Sequence, residues 1–333
     1  MYNKVLVLNY GSQFTQLIAR RVRELGVYSE IKDCDFPFES IIADTSIKAI
    51  ILSGGPHSVY EQDAPNIDKR ILESGLPIFG ICYGQQTISH VMGGKVETAD
   101  KGEYGKGNLE INELGLQTLF EGISPATQVW QSHRDHVTTL PDGFQSLGSS
   151  ENCPNAAIGN IEAKIYGVQY HPEVVHSLDG SKVLANFLFK VAGINPNWNT
   201  TSYINDQMLK IQTQVGSDKV LCGLSGGVDS SVVAALVQKA IPGQIHCVFV
   251  DNGLLRMNEK EEVEEVFRNH FKIELTVADA SEIFLDRLTR VTDPETKRKI
   301  IGNTFVEVFD LAKTSLNQEI KITKDLNIEI VKT

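Results

Sequence analysis

Short apolar runs alternate with amphipathic stretches along the first two thirds of the chain. Residues 4–10 (KVLVLNY), 47–52 and 76–82 are rich in apolar side chains and predict buried β-strands. Residues 12–25 and 83–92 place apolar side chains at helical spacing and predict two helices. Apolar strands separated by helices predict a parallel sheet that is covered on both faces.

The pattern changes after these elements. Residues 106–169 contain short strand and turn signals, which predict a largely antiparallel excursion, and residues 179–192 predict a closing helix. The segment 193–201 (GINPNWNTT) is polar and rich in Pro and Asn, which is typical of a linker. We therefore predict a first domain over residues 1–194, a linker over 195–205 and a second domain over 206–333.

The alternation of helices and strands restarts in the second domain. Helices are predicted at 203–215, 229–240 and 258–271, and strands at 219–224, 245–251 and 273–277. The order again predicts a parallel sheet. The fold class is therefore α/β in both domains, with a mixed sheet flanked by helices in the first.

The net charge and the cysteine content argue against several classes of protein. The formal net charge is −11, whereas proteins that bind nucleic acid or anionic membranes non-specifically need a basic face. No stretch is long and apolar enough for a membrane span, and the first residues lack a signal-peptide pattern, so we expect a cytoplasmic protein. The five cysteines form no C-x-x-C pair, which indicates neither a disulfide framework nor a zinc site.

One cysteine lies in a motif that carries chemistry. Residues 80–84 (GICYG) have the form G-x-C-x-G between a predicted strand and a predicted helix, the cysteine counterpart of a nucleophile elbow. The helix N-terminus directs positive potential at Cys82, which favours the thiolate, and the following backbone N–H faces a developing oxyanion. The alternative is that Cys82 is an ordinary core residue at the end of a buried strand.

Two further segments favour the catalytic interpretation. In the motif YHPE, His171 and Glu173 are spaced so that the imidazole can pair with a thiol while the carboxylate orients it. The motif SGGP at residues 53–56 follows another strand of the same predicted sheet. Its glycines either supply a second oxyanion N–H or form a simple turn.

Together these segments resemble the class I, or triad, glutamine amidotransferases over about residues 3–192. The resemblance implies that Cys82 attacks the side-chain amide of glutamine, that His171 protonates the departing ammonia and then activates water, and that Glu173 orients His171. It also implies that Gly55 and Tyr83 bind the oxyanion through their backbone N–H groups, and that Gln86 is a candidate for holding the glutamine.

A second motif, SGGVDSS, follows the predicted strand at 219–224 and opens a helix. Small residues at a helix N-terminus allow backbone N–H groups to surround a phosphate, although a Gly/Ser-rich helix cap is the alternative. No lysine follows the glycines, so this is not the common P-loop. The motif resembles the pyrophosphate loop of the ATP pyrophosphatases (adenine nucleotide alpha hydrolase-like proteins). The resemblance implies ATP binding by Ser225, Gly226, Gly227, Val228, Asp229, Ser230 and Ser231.

Two neighbouring features are less specific. Asp251 ends the next strand, in VFVDNGLLR, where the resemblance makes it a candidate for the ATP or metal site; a strand-terminating turn is the alternative. Lys297-Arg298-Lys299 begins a helical pattern and is either a solvated face or a phosphate contact. The sequence does not identify the metal ligands.

The order of the two domains, with GICYGQQ, SGGVDSS, VFVDNGLLR and DPETKRKIIG, resembles the family of glutamine-hydrolysing GMP synthases. The resemblance implies glutamine, ATP and XMP as substrates, adenylation of XMP, and its amination to GMP by ammonia from Cys82. Mg²⁺ is expected to accompany ATP, and no tightly bound cofactor is expected. Members of the family are homodimers.

The end of the chain departs from this family. The match fades after Phe309. In the remainder, polar residues alternate with Ile320, Ile322, Leu326, Ile328 and Ile330. This pattern predicts one or two edge strands, and a frameshifted tail is the alternative. We expect the dimerisation region and further XMP-contacting segments to be missing. Three hypotheses follow: a GMP synthase without its C-terminal part, a glutaminase or ATP-binding protein that does not make GMP, or another ATP-dependent amidotransferase.

Overall fold

The computed structural model describes residues 2–315, 319–323 and 328–332 of the 333-residue chain. It contains two compact units, which meet along the chain at Asn199 and Thr200. The boundary falls inside the segment predicted as a linker. Helix α7 (Thr200–Val215) begins there, three residues earlier than the hydrophobic pattern predicts. Thr200, Thr201 and Ser202 carry no apolar periodicity, so the pattern of the helix could not include them.

The first unit is built on one nine-stranded sheet, in the order β2-β1-β3-β4-β9-β8-β7-β5-β6. Strands β2, β1, β3, β4 and β9 are parallel to their neighbours in this half, and antiparallel pairing begins between β9 and β8. The strands are β1 (Lys4–Asn9), β2 (Tyr28–Asp33), β3 (Ile47–Leu52), β4 (Ile78–Ile81), β5 (Lys95–Ile111), β6 (Ala126–Thr139), β7 (Gln145–Ser150), β8 (Cys153–Asn160) and β9 (Ile165–Val168).

Helices cover the parallel half of this sheet on both faces. Strand β1 shows why: Val5 and Val7 join one hydrophobic cluster, and Leu6 and Leu8 join the other. Successive side chains of a strand point to opposite faces, so a wholly apolar strand needs a cover on each side. The helices are α1 (Thr15–Glu24), α2 (Phe38–Ala43), α3 (Lys69–Leu72), α4 (Tyr83–Val91), α5 (Glu113–Gln117) and α6 (Gly180–Asn186), the last continued by a π-helical turn (Phe187–Val191).

The predicted mixed sheet is confirmed, and one strand of it was not predicted. Strand β2 contains the charged residues Glu30, Lys32 and Asp33, so it has no apolar run by which a strand could be predicted. It lies at the edge of the sheet and pairs only with β1, so part of its surface can stay in contact with water.

The second unit contains a five-stranded sheet in the order β12-β11-β10-β14-β13. Its strands are β10 (Lys219–Leu224), β11 (Ile245–Asp251), β12 (Glu274–Asp279), β13 (Glu319–Thr323) and β14 (Ile328–Lys332). Its helices are α7, α8 (Val228–Ala240), α9 (Glu259–Glu264) with a π-helical turn (Glu265–His270), α10 (Ser281–Leu288) and α11 (Pro294–Ser315). Strands β10, β11 and β12 form the predicted parallel sheet.

The alternating pattern near the end of the chain corresponds to an antiparallel hairpin. Strand β13 lies at the sheet edge, as predicted, whereas β14 lies inside the sheet and pairs antiparallel with β10. Leu326, part of the same pattern, lies outside the described residues. Within the described part of the chain, no helix combines the length and apolar character needed to cross a membrane.

Candidate active site

The cysteine of the G-x-C-x-G motif lies in a sharp turn between β4 and α4. Cys82 has φ 52° and ψ −108°, a conformation that costs a non-glycine residue about 1–3 kcal/mol. The flanking glycines make the turn possible by close packing: a Cβ added to Gly80 would lie 2.6 Å from the carbonyl carbon of Gly84. A Cβ on Gly84 would lie 2.5 Å from the carbonyl oxygen of Leu52. The motif therefore forms the elbow that its spacing predicts.

The two other predicted triad residues lie beside this elbow. His171 Nδ1 is 2.8 Å from Glu173 Oε1, and the Cys82 side chain lies close enough to the imidazole to influence its pKa. Since Nδ1 faces Glu173, the remaining ring nitrogen, Nε2, is the one available to exchange a proton at the Cys82 sulfur. All three side chains are buried.

The electrostatics of the group favour a charged imidazole. Burial alone lowers the pKa of His171, but its interactions with Cys82 and Glu173 outweigh burial and raise that pKa to about 10. An imidazolium at neutral pH can donate a proton to a departing amine. Once the sulfur is acylated, its contribution to the raised pKa is lost, and the imidazole becomes able to accept a proton from water.

Several residues that the sequence did not single out hold His171 in place. The ring of Phe14 packs edge-on against the imidazole, with 5.3 Å between centroids. The backbone N–H of His171 donates to the carbonyl oxygen of Trp130, and Ser177 Oγ donates to the carbonyl oxygen of His171. Arg21 Nε donates to the carbonyl oxygen of Glu173 at 3.0 Å. Phe14, Arg21 and Trp130 come from distant parts of the chain, so no local motif could reveal them, whereas Ser177 lies only six residues after His171.

The SGGP segment lies against the same group. A Cβ on Gly54 would be 3.3 Å from His171 Cε1 and 3.6 Å from Cys82 Cβ. Gly55 is packed equally tightly, because its Cβ would lie 2.5 Å from the carbonyl oxygen of Tyr10. The structure thus brings the segment, the elbow and the histidine motif together at one end of the parallel strands.

A cavity of about 360 Å³ opens beside Cys82. Two other residues from the predicted site, Gly55 and Gln86, line it, and Tyr83 is the first residue of α4. Gln86 is buried, and its Nε2 donates to the carbonyl oxygen of Asp135 at 2.7 Å and to Gln169 Oε1 at 3.2 Å. The opposite wall is formed by residues of β6 that the sequence did not indicate, namely Ser132, His133, Arg134 and Asp135.

In the second unit, the SGGVDSS segment connects β10 to the N-terminus of α8 in an exposed loop. Gly226 has φ 74°, a conformation that favours glycine. Ser225 N–H donates to Ser230 Oγ at 3.3 Å, and Ser231 Oγ donates to the carbonyl oxygen of Gly227 at 2.9 Å. These bonds order a small-residue loop at a helix N-terminus, where a phosphate can be bound.

The remaining candidates of the second unit have partners of their own. Asp251 Oδ1 accepts from the backbone N–H of Gly253 at 3.0 Å, and Asp251 Oδ2 lies 3.3 Å from Lys260 Nζ. Lys297, Arg298 and Lys299 are exposed. Among the described residues, no cluster of three or more His, Cys, Asp and Glu side chains is arranged to hold a metal ion.

An apolar cavity of about 310 Å³ lies next to the SGGVDSS loop. Leu224 and Ser225, at the end of β10, belong to its lining. The full set of lining residues is Gly223, Leu224, Ser225, Val248, Val250, Phe305, Val306, Phe309 and Asp310. A phosphate-binding loop and an apolar cavity are therefore adjacent within this unit.

Each of the two units is similar to a known protein family. The sequence model for glutamine amidotransferase class-I matches residues 6–191, and the model for NAD synthase matches residues 200–304. GMP synthase (glutamine-hydrolyzing) from Brachyspira hyodysenteriae is 52% identical over 308 residues, which are 92% of this chain and 59% of that protein.

Proteins of the same name from Aquifex aeolicus and Clostridium novyi are 53% and 50% identical to this chain. The alignments cover 92% and 94% of this chain and 59% and 61% of those proteins. The chain thus spans less than two thirds of the length of these curated relatives. Because the first sequence model covers more than half of the chain, the chain belongs to the class-I glutamine amidotransferase family.

Proposed function

We propose that the first unit hydrolyses glutamine at Cys82. The observation that carries this proposal is the position of His171, which is hydrogen-bonded to Glu173 and lies next to Cys82 beside a cavity of substrate size. The thiolate attacks the side-chain carboxamide carbon, the C–N bond breaks, and ammonia leaves with a proton from His171. Water, activated by the neutral imidazole, then releases glutamate from the thioester.

The backbone N–H groups of Gly55 and Tyr83 are proposed to bind the oxyanion. Each comes from a tightly packed segment beside Cys82, so the donors are held in place before the reaction starts. Loss of one such donor typically lowers kcat by about 10²–10³-fold. Gln86, on the wall of the cavity, is proposed to hold the glutamine substrate.

We further propose that the second unit binds ATP as its Mg²⁺ complex. The backbone of Ser225–Ser231 is proposed to surround the phosphates, and the adjacent apolar cavity has the size and character for the adenine ring. Asp251 is proposed to lie near the metal or the nucleotide. For that role its carboxylate must give up its ion pair with Lys260, or share it.

The names of the relatives support one combined reaction, the synthesis of GMP. In this reaction ATP adenylates the 2-oxo group of XMP and releases pyrophosphate, and ammonia from Cys82 displaces AMP to give GMP.

The test supplies XMP and Mg-ATP to the purified chain with either glutamine or ammonia, and measures GMP, pyrophosphate and glutamate. GMP from both nitrogen sources in the wild-type chain would support GMP synthesis by this chain. Cys82→Ala is the matched control, which should lose GMP formation from glutamine and retain GMP formation from ammonia. Glutamate release without GMP from either source would contradict GMP synthesis by this chain and leave the glutaminase proposal intact.

A further inference from the structure

The wall of the Cys82 cavity that faces the sulfur is made by β6. The carbonyl oxygen of Ser132 lies 3.9 Å from Cys82 Sγ, and the carbonyl oxygen of Asp135 accepts from Gln86 Nε2. His133 and Arg134 complete this side of the cavity. The carbonyl groups of Ser132 and Asp135 belong to this wall, so its position depends on how firmly this part of β6 is held.

The pairing of β5 with β6 is irregular at this point. Thr98 pairs with Asp135 and the next pair is Glu103 with His133, so residues 99–102 of β5 stand opposite the single residue Arg134. An interrupted ladder holds its strand less firmly, because residues of the bulge do not contribute regular backbone hydrogen bonds. Side chains must therefore fix the wall.

Glu103 provides such a connection. Its Oε2 accepts from Gln131 Nε2 at 2.6 Å, from Ser150 Oγ at 2.6 Å and from His133 Nε2 at 3.1 Å. Its Oε1 accepts from the backbone N–H of Asn152 at 2.8 Å. The carboxylate is buried, with 6% of the residue exposed, and joins β6 to the turn between β7 and β8. Charge-assisted hydrogen bonds in a buried site are shorter and stronger than neutral ones.

The imidazole of His133 depends on this carboxylate. Since Glu103 is an acceptor, His133 Nε2 carries the proton, and His133 Nδ1 is buried without a hydrogen-bond partner among the described residues. Burial lowers the pKa of His133, and the negative charge of Glu103 only partly opposes this effect. Removing the Glu103 carboxylate therefore removes the side-chain hydrogen bond that orients this ring.

We infer that Glu103 is a positioning residue for the glutamine pocket, fixing the Ser132–Asp135 wall through His133 and Gln131. The inference rests on the proposed glutaminase function. Glu103 does not contact the reacting atoms, so its loss should change the fit of the substrate more than the reactivity of the thiol.

The test uses Glu103→Gln in the full chain, with Glu110→Gln as the matched control. Glu110 lies on the same strand, is exposed, and undergoes the same change of charge and shape. The amide introduced by Glu103→Gln cannot accept from all of the former donors, because one of its two polar atoms is itself a donor. We expect KM for glutamine to rise about tenfold, a loss of about 1.4 kcal/mol, with kcat within about threefold of wild type.

The rates of two labelling reactions at Cys82 distinguish a positioning role of Glu103 from a purely structural one. Iodoacetamide should alkylate Cys82 at the wild-type rate in Glu103→Gln, because the small reagent does not need the wall. A glutamine-analogue chloroketone should react about tenfold more slowly, in proportion to the change of KM. Both rates and both kinetic constants should be unchanged in Glu110→Gln.

The outcomes separate this inference from the proposed function. A wild-type chain without glutaminase activity would overturn both, whereas an active wild type with an unchanged KM in folded Glu103→Gln would overturn the inference alone. If Glu103→Gln does not fold, Ser150→Ala decides, because it removes a single bond to the carboxylate. A KM raised about threefold supports the inference, and a wild-type KM contradicts it.

Discussion

His171 Nδ1 lies 2.8 Å from Glu173 Oε1, and both side chains are buried. The two residues are separated by Pro172 alone, so a short turn places the carboxylate at Nδ1 of the imidazole. The other ring nitrogen, Nε2, remains available to Cys82. Burial lowers the pKa of His171, but Cys82 and Glu173 together raise it above neutral, which favours the charged imidazole. The raised pKa makes the pH dependence of the reaction a direct test of the site.

Replacing Glu173 by Gln should move the alkaline limit of glutaminase activity to lower pH. The pKa of His171 is about 10 in the intact group, and Glu173 raises it through a hydrogen bond and through its charge. A hydrogen bond to a charged group contributes about 1.5–3 kcal/mol, which corresponds to a shift of about one pH unit or more. The measurement is the pH profile of kcat for glutamate release. An unchanged alkaline limb in a folded Glu173→Gln chain would contradict the assignment.

The same pair should make the stability of the wild-type chain depend on pH. The folded-state pKa of His171 lies above its unfolded value of 6.5, so the folded state binds the proton more tightly. The resulting stabilisation is fully present below pH 6.5 and is lost as the pH rises through about 10. Urea unfolding of the first unit across this range measures the effect. Glu173→Gln should show a smaller loss of unfolding free energy across the same range.

Cys82→Ala should abolish glutamine hydrolysis, with a loss of at least about 10⁴-fold in kcat, since no other group can form the thioester. Cys153→Ala is the matched control. Burial raises the pKa of Cys153 to about 12, and its side chain lies in the hydrophobic core, so it should be chemically inert. Cys222 and Cys247, buried in β10 and β11, should be inert as well.

Mass spectrometry after treatment with a glutamine-analogue electrophile should find the label on Cys82. A label on Cys153, or full activity in Cys82→Ala, would refute the assignment of the nucleophile.

Gly84→Ala should destabilise the first unit and reduce the reactivity of Cys82. The added methyl group would lie 2.5 Å from the carbonyl oxygen of Leu52, so α4 must move away from β3. Overpacking of this kind costs about 1–3 kcal/mol and displaces the elbow. Gly302→Ala is the control, because nothing lies within 4 Å of its Cβ position and α11 favours alanine. Thermal unfolding and iodoacetamide labelling of Cys82 measure the two effects.

Asp229→Ala and Ser230→Ala should each weaken the binding of Mg-ATP by about tenfold, or about 1.4 kcal/mol. Ser230 Oγ accepts from Ser225 N–H and therefore helps to shape the loop, and Asp229 is exposed in the first turn of α8. Asp286→Ala, an exposed position in α10, is the matched control. Calorimetric titration gives the affinities. No detectable binding to the folded wild-type chain would contradict ATP binding by this unit.

The sequence by itself determined the elements that depend on local rules. Strands β3, β10 and β11 have the predicted bounds, because a strand buried on both faces is mostly apolar and stands out as a short apolar run. The elbow at Cys82 was also predictable, since its two glycines and the central cysteine lie within five consecutive residues. The pairing of His171 with Glu173 followed from a spacing of two residues.

Only the tertiary structure decided which distant residues complete the site. Phe14 covers His171 from a segment more than 150 residues away along the chain. Strand β6 supplies part of the cavity wall, including the carbonyl oxygens of Ser132 and Asp135. A backbone contact is independent of side-chain identity and leaves no motif. The carboxylate of Glu103 is a similar case: in the sequence it is one charged residue among many, and its four hydrogen bonds arise from the meeting of β5, β6 and the β7–β8 turn.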